Sequence, residues 1–165
     1  MAFKLDKIDL RILKILQDQG RISNLQLSKE IDLSPAPTLE RVRKLELSKI
    51  IKSYHAFLNE DLLGLDIKAI VQVSLTRQHE NAMQSFSKKI NEIDEIVECF
   101  QITGTYDYQL KVIVKDINAL NELISEKLSK LPEIRKIQSY IILSTIKQSK
   151  SLPLKFEELI LDISI

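Results

Sequence analysis

This chain contains little ready-made chemistry. A single cysteine, Cys99, among 165 residues excludes an internal disulfide framework. Its alternation with strand-forming neighbours predicts a small buried apolar residue rather than a nucleophile. The only histidines are His55 and His79. They lie far apart with no Cys or His at ligand spacing, so no metal site is expected. Three glycines are too few for a phosphate-cradling loop. No nucleophile–histidine–acid set can be assembled, so neither an enzyme nor a cofactor is expected. No apolar run reaches the roughly 18 residues of a membrane span. The opening Met-Ala-Phe-Lys-Leu-Asp lacks an apolar signal region, which predicts a cytoplasmic protein.

What is present is an ordinary globular composition with an uneven charge distribution. The length suits one or two small domains, and 44% hydrophobic with 28% charged residues is typical of a soluble chain. Net charge is only +1. Residues 1–60, however, hold 11 Lys/Arg against 8 Asp/Glu, and the remainder holds 13 against 15. A basic head on a neutral or acidic body fits a nucleic-acid binder, the more so if heads are paired.

The head carries the clearest motif. Ile8, Ile12, Ile15 and Leu16 recur at helical spacing, predicting a first helix over Asp6 to Gln19 that Gly20 ends. Ser23 and Gln26 form a capping-box pair, and Ile22 with Leu27 can staple the same helix start. Leu27 and Ile31 face a core, and Asp32 and Leu33 make a turn. Asp tolerates the left-handed conformation such a turn requires better than most residues. Ser34 is the next cap, with Pro35 at the first helical position, where its missing N–H costs nothing. Leu39, Val42 and Leu45 are expected to line the inner face of this helix. Thr38, Arg41, Arg43 and Lys44 are left for the outside. Two short capped helices joined by a tight turn, the second basic, have the layout of a helix-turn-helix DNA reader. The alternative is an amphipathic helix with a solvated charged face.

Residues 1–50 are therefore read as the DNA-binding domain. Residues 51–65 are read as a wing strand, from the β-prone run Ile50 to Leu58, and a hinge containing Gly64. Over 66–148 the pattern alternates between two periods. Ile67, Ala69, Val71, Val73 and Leu75 make a strand with one buried face; Met83, Phe86, Ile90 and Ile93 make a helix. Ile96 to Thr103 is a strand, and Gly104 to Tyr106 is a turn. Tyr108 to Val114 is a strand, Leu120 to Leu131 is a helix stopped by Pro132, and Ile134 to Ile146 is a long last strand. This β-α-β-β-α-β order is ferredoxin-like, so the fold class is α+β. Such a sheet has helices on one face only. Apolar residues on the other face, among them Ile70, Ile142 and Ile146, predict a homodimer. In the tail, residues 149–165, Phe156, Leu159, Ile160 and Ile163 share one helical face. They are expected to pack on a neighbouring subunit; the alternative is a frayed end.

The runs Leu5-Asp6-Lys7-Ile8-Asp9, Gly20-Arg21-Ile22-Ser23-Asn24, Leu33 to Glu46, Tyr54 to Asn59 and Thr103-Gly104-Thr105-Tyr106-Asp107-Tyr108 resemble the Lrp/AsnC family of transcription regulators. The resemblance covers about residues 5–150. It implies a winged helix-turn-helix head on an amino-acid-sensing ferredoxin-like domain. It implies dimers assembling into octamers or similar rings that bind double-stranded DNA, and a small amino acid, leucine above all, bound between subunits. It places Ser34, Pro35, Ala36, Pro37, Thr38, Arg41 and Arg43 at the reading helix, with Lys44 beside them. It places Gly104, Thr105, Tyr106 and Asp107 at the effector pocket. There Asp107 can meet the ligand's ammonium, and backbone N–H groups near Gly104 its carboxylate. The plainer reading is that Gly104 is a hairpin glycine and Asp107 caps the turn. Family members often carry Asp where Thr105 stands. They carry Gly at Asp32 and near Lys49, so the reading helix is expected to end differently or run on at Lys49. A nucleoid-type DNA-bending protein and an amino-acid module whose head contacts protein are the other functions considered.

Overall fold

The computed structural model describes residues 3–76, 80–149, 151–154 and 162–163. They divide into two compact units, residues 1–57 with 147–165, and residues 58–146.

The head begins with a two-residue strand β1 (Phe3–Lys4), followed by α1 (Lys7–Asp18), α2 (Asn24–Glu30) and α3 (Pro35–Leu47). Each helix start is held in its own way. At α1, Asp6 accepts the Asp9 N–H at 2.8 Å while the Asp9 side chain accepts the Asp6 N–H at 3.2 Å. This is a capping box built from two aspartates. At α2, Ser23 and Gln26 make the reciprocal bonds that their spacing predicts. At α3, Ser34 is the N-cap residue but its side chain makes no capping bond. Instead Asn24 Nδ2 reaches back from α2 to the Pro35 carbonyl at 2.8 Å. The helices close over Leu10, Ile12, Leu27, Ile31 and Leu45, with Ile8, Ile15, Leu16, Ile22 and Val42 packed around them. Asp32 in the turn takes φ 58°.

Three expectations for the head change. Lys49 does adopt the left-handed conformation, with φ 59°. Its N–H bonds the Glu46 carbonyl at 3.0 Å, and the Ile51 N–H bonds the Leu45 carbonyl at 3.1 Å. These bonds outweigh the modest cost of a side chain at that backbone angle. Residues 51–58 form no strand, since β-prone side chains need a partner ladder. Described parts of the tail are tied to their own chain. Ser151 Oγ donates to Asp18 at 2.9 Å, the Leu152 N–H donates to Gln17 at 2.6 Å, and a strand β6 (Asp162–Ile163) pairs antiparallel with β1. Ile163 is thus in a strand, not on a helical face; Phe156, Leu159 and Ile160 lie outside the described residues.

The second unit opens with a 3-10 turn (Asp61–Leu63) and Gly64 at φ 70°. It continues through β2 (Ile67–Leu75), α4 (Glu80–Ile90), β3 (Ile96–Gln101), β4 (Tyr108–Val114), α5 (Ile117–Glu122) and β5 (Ile134–Ile141). The sheet order is β3-β4-β2-β5, antiparallel throughout. This is the ferredoxin-like topology. Alternation sends Ala69, Val71, Val73, Leu110 and Val112 to the helix side, where they bury Phe86, Leu123 and Leu128. The Phe86 and Tyr108 rings pack tilted with centroids 4.6 Å apart.

Here too the structure corrects details. The helix after β4 widens into a π-turn over Leu123–Leu128. β3 stops at Gln101 rather than Thr103. β5 stops at Ile141, after which a single bond from the Ile142 N–H to the Lys68 carbonyl, at 2.8 Å, continues the ladder. Cys99 is exposed, not buried, because β3 is an edge strand. The desolvation it does meet pushes its thiol up, away from a reactive thiolate.

One ion pair ties α4 to the entrance of β5. Glu133 accepts from Ser85 Oγ at 2.6 Å and from Lys89 Nζ at 2.8 Å, and its own carbonyl takes the Thr76 N–H at 2.7 Å. The bond from Lys89, then that from Ser85, holds the Glu133 carboxyl below its ordinary range. A depressed folded value means the contribution is complete above the unfolded pKa of about 4.3. It is lost as pH falls through the folded value. We expect Glu133→Gln to lower unfolding free energy by about 1 kcal/mol at pH 7. Urea titrations repeated toward pH 3 should show variant and wild type converging. A constant gap across that range would rule out the charge as its source.

Candidate nucleic-acid interface and ligand cavity

The orientation of α3 decides which of its side chains can meet another molecule. Ser34, Pro35, Ala36 and Pro37 are all exposed, so the start of the helix is open to solvent. Further along, Arg43 and Lys44 point outward. Lys44 pairs with Glu40 at 3.0 Å along the helix, a surface contact of little energetic weight. Arg43 makes no ion pair among the described residues.

Two residues assigned to that outer surface are not on it. The inner face is Thr38, Arg41, Val42 and Leu45, at i, i+3, i+4 and i+7, and Leu39 is turned out to 40% exposure. Thr38 is fully buried because its hydroxyl finds an acceptor in its own helix, donating to the Ser34 carbonyl at 2.9 Å. Arg41 reaches back to the start of α1. One nitrogen, Nη1, lies 2.7 Å from Asp6 Oδ2 and 2.7 Å from Asp9 Oδ1. These contacts, that with Asp9 foremost, hold the guanidinium firmly protonated. Hydrophobic periodicity assigns long cations to solvent by default, so no signal in the helix itself marked this one. The capping aspartates of α1 were the only clue.

Two further side chains brace the helices of the head. Arg11 of α1 donates to the Glu30 carbonyl at the end of α2 and pairs with Asp32 at 3.4 Å. The Tyr54 hydroxyl donates to Glu46 of α3 at 3.0 Å. Burial, and then Glu46 itself, pushes the phenol up to about 12.

In the second unit a cavity of about 440 Å³ opens where β2, β3 and β4 end beside α4. Leu75, Met83, Ile102 and Tyr108 supply its less polar wall; Gln101, Thr103, Gly104 and Asp107 supply the rest. Gly104 takes φ 115°, a conformation that side chains rarely adopt. The loop hangs on the end of β2. The Asp107 N–H donates to the Val73 carbonyl at 2.9 Å, and the Asp107 carboxylate accepts the Leu75 N–H at 2.7 Å. Ser74 Oγ donates to the Thr105 carbonyl at 3.3 Å. Asp107 therefore caps the strand end and puts a negative charge at the cavity wall.

Of the four residues read as a pocket, Gly104 and Asp107 line the cavity; Thr105 and Tyr106 do not. Tyr106 is buried elsewhere. Its hydroxyl donates to Gln138 on β5, and Lys136 Nζ sits 5.1 Å from its ring centre. The remaining lining residues read in sequence only as strand or helix core, and folding alone brings them together.

Comparison with known proteins gives a family to each of two segments of the chain. Residues 5–52 match the profile of a winged helix-turn-helix DNA-binding domain, and residues 68–152 match the Lrp/AsnC ligand binding domain. The chain is 40% identical over 151 residues to the leucine-responsive regulatory protein of Escherichia coli K12, covering 92% of each. The same figures hold for the protein of that name from Klebsiella pneumoniae. Among solved structures, a transcriptional regulator from Neisseria meningitidis in complex with L-Met has a TM-score of 0.89 at 35% identity, covering 93% of this chain and 99% of that one. An AsnC family transcriptional regulator from Agrobacterium tumefaciens has a TM-score of 0.85 at 29% identity, with coverage of 90% and 97%.

Proposed function

This chain belongs to the Lrp/AsnC family of DNA-binding transcription regulators, and on that premise we propose that it is a sequence-specific regulator whose DNA affinity is set by leucine. The observation that carries the DNA half is the presentation of α3. It follows a tight turn, its first residues are exposed, and Arg43 and Lys44 project from it. Helix N-termini and outward Arg or Lys side chains suit phosphates and base edges. Ser34, Pro35, Ala36, Pro37, Arg43 and Lys44 are the proposed contacts. In a homodimer two such helices would enter major grooves about 34 Å apart.

The cavity at Gly104 supports the effector half. A free amino acid brings an ammonium, which Asp107 complements, and a side chain, which Leu75, Met83 and Ile102 can cover. Leucine is the first choice, given the relatives named for it. Methionine is the second, since the similar Neisseria regulator was solved with L-Met. The sheet face turned away from the helices supports self-association. Lys111 and Glu98 pair there at 2.9 Å, beside Phe100 at 50% and Tyr140 at 46% exposure. A second copy covering this face would give the dimer, and dimers in turn an octamer or similar ring with the ligand held between subunits.

Three measurements check these readings. Duplexes selected from a random library by the wild-type protein should bind more weakly to Arg43→Ala and Lys44→Ala. For each the slope of log K against log salt should be shallower by about 0.9 for every phosphate contact removed. Unchanged affinity and slope in both variants would remove α3 as the reader. Calorimetric titration with leucine should show at least roughly tenfold weaker binding to Asp107→Asn, which keeps an acceptor for the Leu75 N–H but loses the charge. Equal leucine affinity in a folded variant would displace Asp107 from the site. Sedimentation should show Phe100→Asp shifted to smaller species, and an unaltered profile would move the subunit interface elsewhere.

A further inference from the structure

The grip of two aspartates on Arg41 has a consequence for how the DNA reader is aimed. Asp6 and Asp9 are already committed to each other, each accepting the other's N–H at the start of α1. The same two carboxylates hold the Arg41 guanidinium, both at 2.7 Å. Asp9 is 5% exposed, and the Arg41 side chain is 29% exposed. A buried carboxylate left without its cation is strongly unfavourable, so the head retains the geometry that supplies one.

This grip is placed where it fixes the rotation of α3. At about 100° per residue, Arg43 lies about 200° round the helix from Arg41. Holding Arg41 inward against α1 therefore turns Arg43 away from the head. The cluster is also a poor phosphate contact in its own right. Two carboxylates and one guanidinium sum to a net charge of −1, which repels a phosphate oxygen.

We infer that Arg41, with Asp6 and Asp9, is a positioning residue that orients α3 for sequence discrimination and does not itself touch DNA. The inference rests on α3 being the reading helix, as proposed above. A positioning role has a distinct signature. A misaimed helix loses base contacts but keeps its phosphate attraction, so the preference for a selected duplex over a random one falls. Affinity for random duplex and the salt slope stay as they are. A merely structural role would lower both affinities in proportion by reducing the folded fraction, leaving their ratio intact.

The experiment uses the full chain and measures binding to a selected and a random duplex across a salt series. Arg41→Gln and Asp9→Asn should each lower the selected-to-random ratio on the order of tenfold, the loss of about one base-pair contact. The double variant should be no worse than Arg41→Gln alone, since the residues act as one unit. Loss in Asp9→Asn is telling, because removing a negative charge should otherwise strengthen DNA binding. Asp9→Asn at or above wild-type preference, with Arg41→Gln flattening the salt slope by about one phosphate contact, overturns the inference and makes Arg41 a direct DNA contact. If Arg41→Gln and Asp9→Asn melt below assay temperature, Asp6→Asn and Arg41→Lys decide. The first loses a half-exposed partner, and the second keeps the charge but not the planar fork. Reduced preference at unchanged slope supports the inference, and full preference in both overturns it. Silence of both Arg43→Ala and Lys44→Ala overturns this inference together with α3 as reader, whereas a deficient Arg43→Ala with a silent Asp9→Asn overturns this inference alone.

Discussion

A charge or backbone donor taken out of water must find a partner, and both functional regions of this protein are arranged around an aspartate that meets that requirement. In the head, Asp9 is almost wholly enclosed and is satisfied by the Asp6 N–H and the Arg41 guanidinium. In the sheet unit, the Asp107 carboxylate closes the end of β2 by accepting the Leu75 N–H. The first sets which way α3 faces. The second sets the path of the loop that borders the cavity. Without either partner the local backbone would have to move, and the surface offered to DNA or to ligand would move with it.

The two units solve the remaining problem of burial differently. The head is small, and three short helices share one apolar cluster whose members come from every helix. Its capping bonds therefore matter, since helices of 12, 7 and 13 residues are marginal on their own. The sheet unit has a larger core and depends on β2, which is paired on both edges and buries alternate residues along its length. Its end anchors the Gly104 loop by three hydrogen bonds. Cavity and core thus meet at the same strand. The opposite sheet face carries polar residues interrupted by half-exposed aromatics, a composition suited to association between copies.

Charge within the head follows a similar division of labour. Of the cations on α1 and α3, Arg11 and Arg41 are engaged inside the head, one at the turn between α2 and α3 and the other at the start of α1. Arg43 and Lys44 remain on the outside. A small net positive charge is thus partitioned between holding the reader together and presenting it.

The sequence by itself determined the order and type of most elements, because those follow from local periodicity and capping. The 3.6-residue recurrence of Ile8, Ile12 and Ile15, the Ser23–Gln26 pair, and the period-two alternation of Ile67 to Leu75 and Tyr108 to Val114 each specify an element without reference to anything distant. What only the tertiary structure decided was partnership across the chain. Thr38 is inward and Leu39 outward because a carbonyl in the same helix satisfies the threonine hydroxyl. Arg41 is inward because two aspartates some thirty residues earlier are waiting for it. Lys49 accepts a left-handed backbone because two hydrogen bonds close around it. Residues 51–58 are β-prone yet form no strand, since a strand exists only where another strand meets it. Cys99 is exposed because its strand lies at a sheet edge, a fact of strand order and not of composition. The cavity gathers residues from β2, α4, β3 and β4, and local pattern carries no record of which chain segments will be brought together.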